Sequence, residues 1–235
     1  YEIIVTDDAS TDDSVEVLEK LKIKVVQSDV NTGFGTNIDR GIRAASGEVV
    51  FILNAIDLMP KDESYFELML AHFEDKKVFS VAASKQDSEN HGSGKIYFEK
   101  GFFLHQRGNG KLTDWADGGA QALRKEYYFK IGGFDPIYKF YWEDVDLGFR
   151  ATKAGYKIIY EPRAILLHEK AEGPIAKNYS ERELRRMNLY GQYIFTLKNS
   201  DLKQKLLFFF WQPYHLAVAL KNRDWDWFKA LIQVI

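Results

Sequence analysis

The sequence predicts an α/β fold, a mixed sheet flanked by helices, followed by a helical extension. Three observations carry this. Short apolar runs alternate with stretches whose apolar residues recur at helical spacing; acids gather where several of those runs end; and from Ala176 onward the pattern is helical throughout. The expected division is 1–175 for the α/β domain and 176–235 for the extension. At 235 residues the chain is long enough to bury a proper core. A formal charge of −2 argues against a nucleic-acid partner, because there is no basic excess to neutralise phosphates. The absence of cysteine removes disulfides, thiol catalysis and zinc–thiolate sites.

Taken in order, residues 2–6 form a strand that ends at Asp7 and Asp8, and Ser10-Thr11-Asp12-Asp13 reads as a capping box for a helix carrying Val15, Leu18 and Leu21. Ligands of open α/β sheets bind beyond the carboxyl ends of strands, so these acids are either ligand-facing or local turn formers. Residues 23–27 give a second strand. Asn31-Thr32-Gly33-Phe34-Gly35 then turns into a helix with Ile38 and Ile42, and such a turn either brings backbone to a nucleotide or is merely a turn. A buried strand at 48–53 ends at Asn54-Ala55-Ile56-Asp57. The helix expected over 61–74 presents Phe66, Met69, Leu70 and Phe73 as its core face.

Beyond it come a strand at 78–83, a polar loop over 84–94, a hairpin over 95–105, and a turn at 107–111. Residues 115–123 lead a strand into a helix at 126–131, closed by Gly132-Gly133. Small residues at Gly118 and Gly119 would let a ligand approach the backbone closely. Next, an aromatic loop (Tyr138, Phe140, Tyr141, Trp142) runs into Glu143 and Asp144 at the start of an amphipathic helix, where backbone N–H groups and the helix dipole favour negative charge. That sets a carboxylate beside a ring-binding surface, or simply an acidic first turn over an aromatic staple. Asp146 and Arg150 form an i,i+4 pair, which makes Asp146 structural. Two strands, 156–160 and 164–167, follow, the second delivering His168.

Asp114-Trp115-Ala116-Asp117-Gly118-Gly119-Ala120, Leu123-Arg124-Lys125-Glu126, Gly132-Gly133-Phe134-Asp135, Trp142-Glu143-Asp144-Val145-Asp146-Leu147 and His168 together resemble the acceptor half of family-2 glycosyltransferases. The resemblance runs from Tyr1 to about Glu172 and implies a GT-A fold and an inverting transfer. Asp144 would be the base that deprotonates the acceptor hydroxyl, with Trp142, Glu143, Gly118 and Gly119 at the acceptor. Asp7, Asp8, Asn31, Gly33, Asp39 and Asn54 would meet the nucleotide-diphosphate sugar. Asp57 and His168 would hold a divalent cation, Mg or Mn. Two departures stand out: Asp39 replaces a common Asn, and Ile56 occupies the second acidic position of the strand-end metal motif, where an aliphatic side chain cannot coordinate a hard cation. Tyr1 opens inside a strand, and the resemblance puts one more strand and a nucleotide-contacting loop before it, so the chain is expected to be a fragment.

The function expected is transfer of a sugar to a glycan or lipid-linked acceptor in the cytoplasm, at the inner face of the cell membrane. The alternative is a silent relative that binds glycan or a partner chain in the same cleft, which Ile56 favours. A nucleotidyltransferase would need a basic, glycine-rich triphosphate loop that these residues lack. In the extension, helices are expected from Ser180 and over 202–220, the second interrupted at Gln212-Pro213. With Lys203, Lys205, Lys221, Arg223, Trp225 and Trp227 around it, this apolar segment either lies on a membrane surface or packs on the domain or a second subunit.

Overall fold

The structure is a computed structural model that describes residues 1–54, 58–86, 93–108, 110–168 and 179–234. β1 (Ile4–Asp8), α1 (Ser14–Lys20) and β2 (Lys24–Ser28) form a parallel unit in which Asp8 lies opposite Ser28. No capping box opens α1; the Ser10 N–H turns back to the Asp7 carboxylate instead (3.2 Å). α2 (Phe34–Ala44) packs on both strands.

The main sheet runs in the order β3 (Val49–Leu53), β10 (Ala120–Arg124), β5 (Val78–Lys85), β11 (Lys157–His168), β4 (Leu58–Pro60), with β8 (Leu112–Thr113) also on β11. β10 is antiparallel to both neighbours, whereas β11 is parallel to β5. The sheet is therefore mixed. The two strands expected over 156–167 are one, with its register shifted between Glu161 and Ile165. Pro162 sits in that irregularity, where a residue without an N–H costs no ladder bond.

Strand alternation feeds a core on each face of the sheet. Phe79, Leu123 and Ile158 face one cluster with Ile42, Tyr128 and Leu147; Val81, Ala122 and Ile159 face the other with Tyr65, Met69 and Phe73. The first cluster is roofed by α2, α4 (Lys125–Lys130) and α5 (Glu143–Lys153), the second by α3 (Ser64–Leu70) and the 3₁₀ turn Ala71–Glu74. The face expected for the 61–74 helix is corrected here. Tyr65, Met69 and Phe73 are buried, whereas Phe66 and Leu70 are exposed, with Phe66 edge-on to Phe51 at 5.1 Å. The i, i+4, i+8 line through Tyr65 is the face turned to the sheet.

A third, smaller sheet, β7 (Phe102–Arg107), β6 (Ser93–Glu99) and β9 (Trp115–Ala116), seats the extension. α6 (Glu181–Asn199) opens with a Ser180/Glu183 capping box and is tied to β7 by Thr196 Oγ1, which accepts from Phe103 N–H (3.2 Å), and by Gln192, which donates to Phe103 O (3.1 Å). α7 (Leu202–Lys221) and α8 (Trp225–Val234) complete a cluster of Phe102, Tyr193, Phe208 and Trp227. Pro213 does not interrupt α7, contrary to expectation. Its missing N–H falls on an exposed side of the helix, and the neighbouring Gln212 side chain donates to Phe208 O (2.9 Å). Among the described residues no helix is long and apolar enough to cross a membrane.

Candidate active site

The site is built where α5 begins. Tyr141 and Trp142 both adopt left-handed backbone conformations (φ 66° and 73°) directly before the helix, an arrangement that costs roughly 1–2 kcal/mol per residue and persists only if the surroundings enforce it. Trp142 supplies the enforcement. Its indole Nε1–H donates to Asn188 Oδ1 (2.7 Å), its ring stands edge-on to His105 at 4.9 Å, and Gly191 of α6 leaves room for it: a methyl there would lie 2.7 Å from the indole. Trp142 is thus only 4% exposed, which corrects its expected role as a platform for an acceptor ring. Tyr141 remains the open aromatic of this loop.

This kink delivers Glu143 and Asp144 to the turn Asp117-Gly118-Gly119. Asp144 accepts from the N–H groups of Val145 (2.7 Å) and Gly118 (3.3 Å). Gly118 is wedged between the Phe34 ring and Asp144; a Cβ there would stand 2.7 Å from the ring. Next to it, Asn54 N–H donates to Gly119 O (3.1 Å), and a Cβ on Gly119 would come within 3.1 Å of the Asn54 side chain. Asp117 accepts from Gly119 N–H (3.1 Å) and pairs with Lys85 Nζ at 2.8 Å.

Burial, and after it the charge of Asp117, raises the Asp144 carboxyl to about 6, against the pull of its two N–H bonds and of Arg107. Glu143 is pushed well above the usual carboxylate range by burial, with the negative charges of Asp144 and Asp117 adding to the effect. Two adjacent buried acids do not both ionise easily. Of the two, Glu143 is held further toward its neutral form, and its Oε2 is buried and lacks a hydrogen-bond partner among the described residues.

The expected donor residues fall into two groups. Asp7 lies buried at the end of β1. Asp8 is a clamp on the glycine turn: it accepts from Thr32 N–H and Oγ1, from Gly33 N–H and from Arg40 (2.7–3.0 Å), and the Asn31 amide reaches its carbonyl (3.4 Å). Gly33 itself (φ 86°) presses on Lys139 O, so that turn closes against the loop leading to α5. Asp39 is redirected from its expected place at the donor, since its carboxylate binds Arg43 (2.6 Å) and the Tyr128 hydroxyl (2.8 Å), bracing α2 against α4. Asp57 lies outside the described residues. For His168 the backbone is placed: it pairs with Leu58, one residue past Asp57. Sequence reasoning gave no role to Lys85, Thr32, Arg40 or Gly191. Only Lys85, a cation at the carboxyl end of an apolar strand, carried a signal of its own.

Comparison with known proteins agrees with this geometry. Over 57 residues, 24% of this chain, it is 46% identical to an N-acetylglucosaminyl-diphospho-decaprenol L-rhamnosyltransferase of Mycobacterium tuberculosis, and the stretch spans 19% of that relative's length. In fold it resembles GalNAc-T7 with UDP, GalNAc and Mn2+ (TM-score 0.64, 16% identity, 83% of this chain and 41% of that one). It also resembles the mannosyltransferase PcManGT from Pyrobaculum calidifontis with GDP-Man and Mn2+ (0.62, 17%, 98% and 64%) and S. aureus TarS 1-349 with UDP-GlcNAc (0.59, 18%, 98% and 70%). These likenesses are of fold, and residues 1–132, more than half of the chain, match the model of one sequence family, so the chain belongs to glycosyl transferase family 2.

Proposed function

We propose that this chain, as part of a longer enzyme or alone, transfers a sugar from a nucleotide-diphosphate donor to a hydroxyl of a glycan or lipid-linked acceptor, with inversion. The observation that carries the proposal is Asp144: a half-buried carboxylate, bound by backbone N–H groups, set on a glycine turn and raised to about 6. A base works best with its pKa near the operating pH. The acceptor O–H gives its proton to Asp144 as the oxygen attacks the anomeric carbon. The bond from that carbon to the diphosphate breaks on the opposite face, and the diphosphate leaves with the electron pair. Glu143, pushed toward its neutral form and with an oxygen unpartnered among the described residues, donates in that form to an acceptor oxygen, and Gly118 and Gly119 admit the ring.

On the donor side, Asp7, Asn31, Asn54 and the Thr32-Gly33 backbone meet the nucleotide, with Asp8 holding that loop in shape. Asp57 and His168 would hold a divalent cation. The His168 backbone pairs with Leu58, the residue that follows Asp57 in sequence, and the aliphatic Ile56 contributes no ligand. The cation's chemistry is to draw off charge from the departing diphosphate. The rhamnosyltransferase relative, whose name includes a diphospho-decaprenol, supports a lipid-linked acceptor and hence action at the inner, cytoplasmic face of the membrane.

Asp144→Asn should lower transfer between about 100-fold and 10,000-fold while leaving donor binding by calorimetry unchanged. Undiminished turnover would reject Asp144 as the base. Ile56 favours a second reading, a silent glycan-binding module. Calorimetry with UDP-GlcNAc or GDP-mannose and Mn2+ separates the two: metal-dependent donor binding belongs to the enzyme, and glycan binding without it to the module.

A further inference from the structure

We propose that α7 is a docking face for the surface of an anionic lipid bilayer. The helix carries large apolar residues on its outer as well as its inner side. Phe208 and Ala219, eleven residues and about three turns apart, are buried in the cluster with Phe102 and Tyr193. On the opposite side Leu202, Leu206, Phe209, Phe210, Leu216 and Leu220 are 41–76% exposed, in one stripe over a helix about 30 Å long. Unbroken exposed apolar surface of this extent marks an interaction site rather than ordinary surface.

Charge decides what covers it. From Leu202 to Arg223 there is no acid, while Lys203, Lys205, Lys221 and Arg223 are all exposed at the two ends of the stripe. The chain as a whole is −2, so this acid-free stretch with its four cations is locally positive against a near-neutral average. A second copy packed face to face would bring lysines against lysines with no carboxylate on either helix to pair with them. An anionic headgroup layer meets the same lysines favourably, while the stripe enters the acyl boundary. Trp225, 58% exposed just beyond Arg223, is the side-chain type favoured at that depth. Trp227, by contrast, is buried within the chain.

The test needs neither donor nor acceptor, so its failure leaves the transferase proposal standing. The chain is floated with vesicles of phosphatidylcholine containing 30% phosphatidylglycerol (~30%, a choice large enough to set a negative surface potential), and with phosphatidylcholine alone. It should rise with the anionic vesicles, release in high salt, and show a blue-shifted tryptophan emission that Trp225→Phe removes. At about 1 kcal/mol per basic residue near the surface, Lys203→Gln with Lys205→Gln and Lys221→Gln should lower partition on the order of 100-fold. Phe209→Glu with Phe210→Glu should abolish it, with an unchanged circular-dichroism spectrum. Failure of the unaltered chain to float with anionic vesicles would overturn the proposal. So would equal, salt-independent binding to neutral vesicles, or a dimer by sedimentation equilibrium that the Phe209→Glu, Phe210→Glu double substitution splits.

Discussion

Asp144, half-buried, and Asp146, fully buried, stand two residues apart on the first turns of α5 and have opposite surroundings. Asp146 is 0% exposed and saturated: Arg150 Nε donates at 2.7 Å, Lys198 Nζ at 3.0 Å, the Asn199 amide at 3.1 Å and the Tyr138 hydroxyl at 3.4 Å. Arg150 goes on to the carbonyls of Ile131 and Gly133, and Lys198 to Asp135. One carboxylate therefore knots α5, α6 and the Gly133 loop together. Asp144 has backbone N–H partners, a neighbouring acid and a raised pKa. Burial alone does not mark a reactive group; burial whose cost outweighs the nearby positive charge, so that the pKa rises, does.

Exchanging each acid for its amide sharpens the contrast. Asp144→Asn, the variant that should end transfer, should also stabilise the fold. A carboxyl whose pKa rises from 3.8 to about 6 on folding favours the folded state at low pH, and that advantage is lost as pH climbs through 6. Above that pH the variant should exceed the parent by about 1–2 kcal/mol in denaturant melts, with no gain at pH 4. Asp146→Asn should do the reverse. It leaves Arg150 and Lys198 without their shared counter-charge, and breaking a buried pair costs about 3–5 kcal/mol. If the two variants move stability in the same direction at pH 7.5, the contrast fails.

A smaller effect tests how the kink before α5 is held. Gly191→Ala places a methyl against the Trp142 indole, an overpacking cost of about 1–3 kcal/mol, offset by about 1 kcal/mol of helix propensity. The net stability change should be small. Displacing Trp142 misaims Asp144, and kcat should fall on the order of tenfold at nearly constant donor affinity. Equal losses in stability and kcat would mean that Gly191 only packs.

Periodicity and residue chemistry made much of this legible. Apolar runs located most strands, and the Asp146–Arg150 spacing identified a structural pair. The acid pair after an aromatic loop pointed to Asp144. What stayed hidden depends on contacts between distant segments. Trp142 looked like an exposed platform because nothing local announces that Asn188 and Gly191, almost fifty residues on, close over it. Asp8 looked like a free ligand because its clamp, Thr32 and Arg40, is assembled only when β1 meets the glycine turn. Asp39 went astray for the same reason, through Tyr128. Tyr65 was overlooked because apolar residues flank both Tyr65 and Met69 on the helix, and spacing alone does not say which of the adjacent lines turns to the sheet.

The mildest prediction concerns the tuning of Asp144. Asp117 raises its pKa, and Lys85, 2.8 Å from Asp117, offsets part of that charge. If Asp144 is the base, log kcat falls with unit slope below about pH 6, as the carboxylate takes up its proton. Asp117→Asn keeps an oxygen for Gly119 N–H but removes the charge, so the acid limb should move down by about half a unit. Lys85→Met leaves Asp117 uncompensated and should move the limb up by a similar amount. Structural damage would lower the plateau of both variants without separating their limbs. Opposite displacements in the two pH–rate profiles are what electrostatic tuning requires, and displacement in one direction would show that Asp117 and Lys85 act on shape rather than on charge.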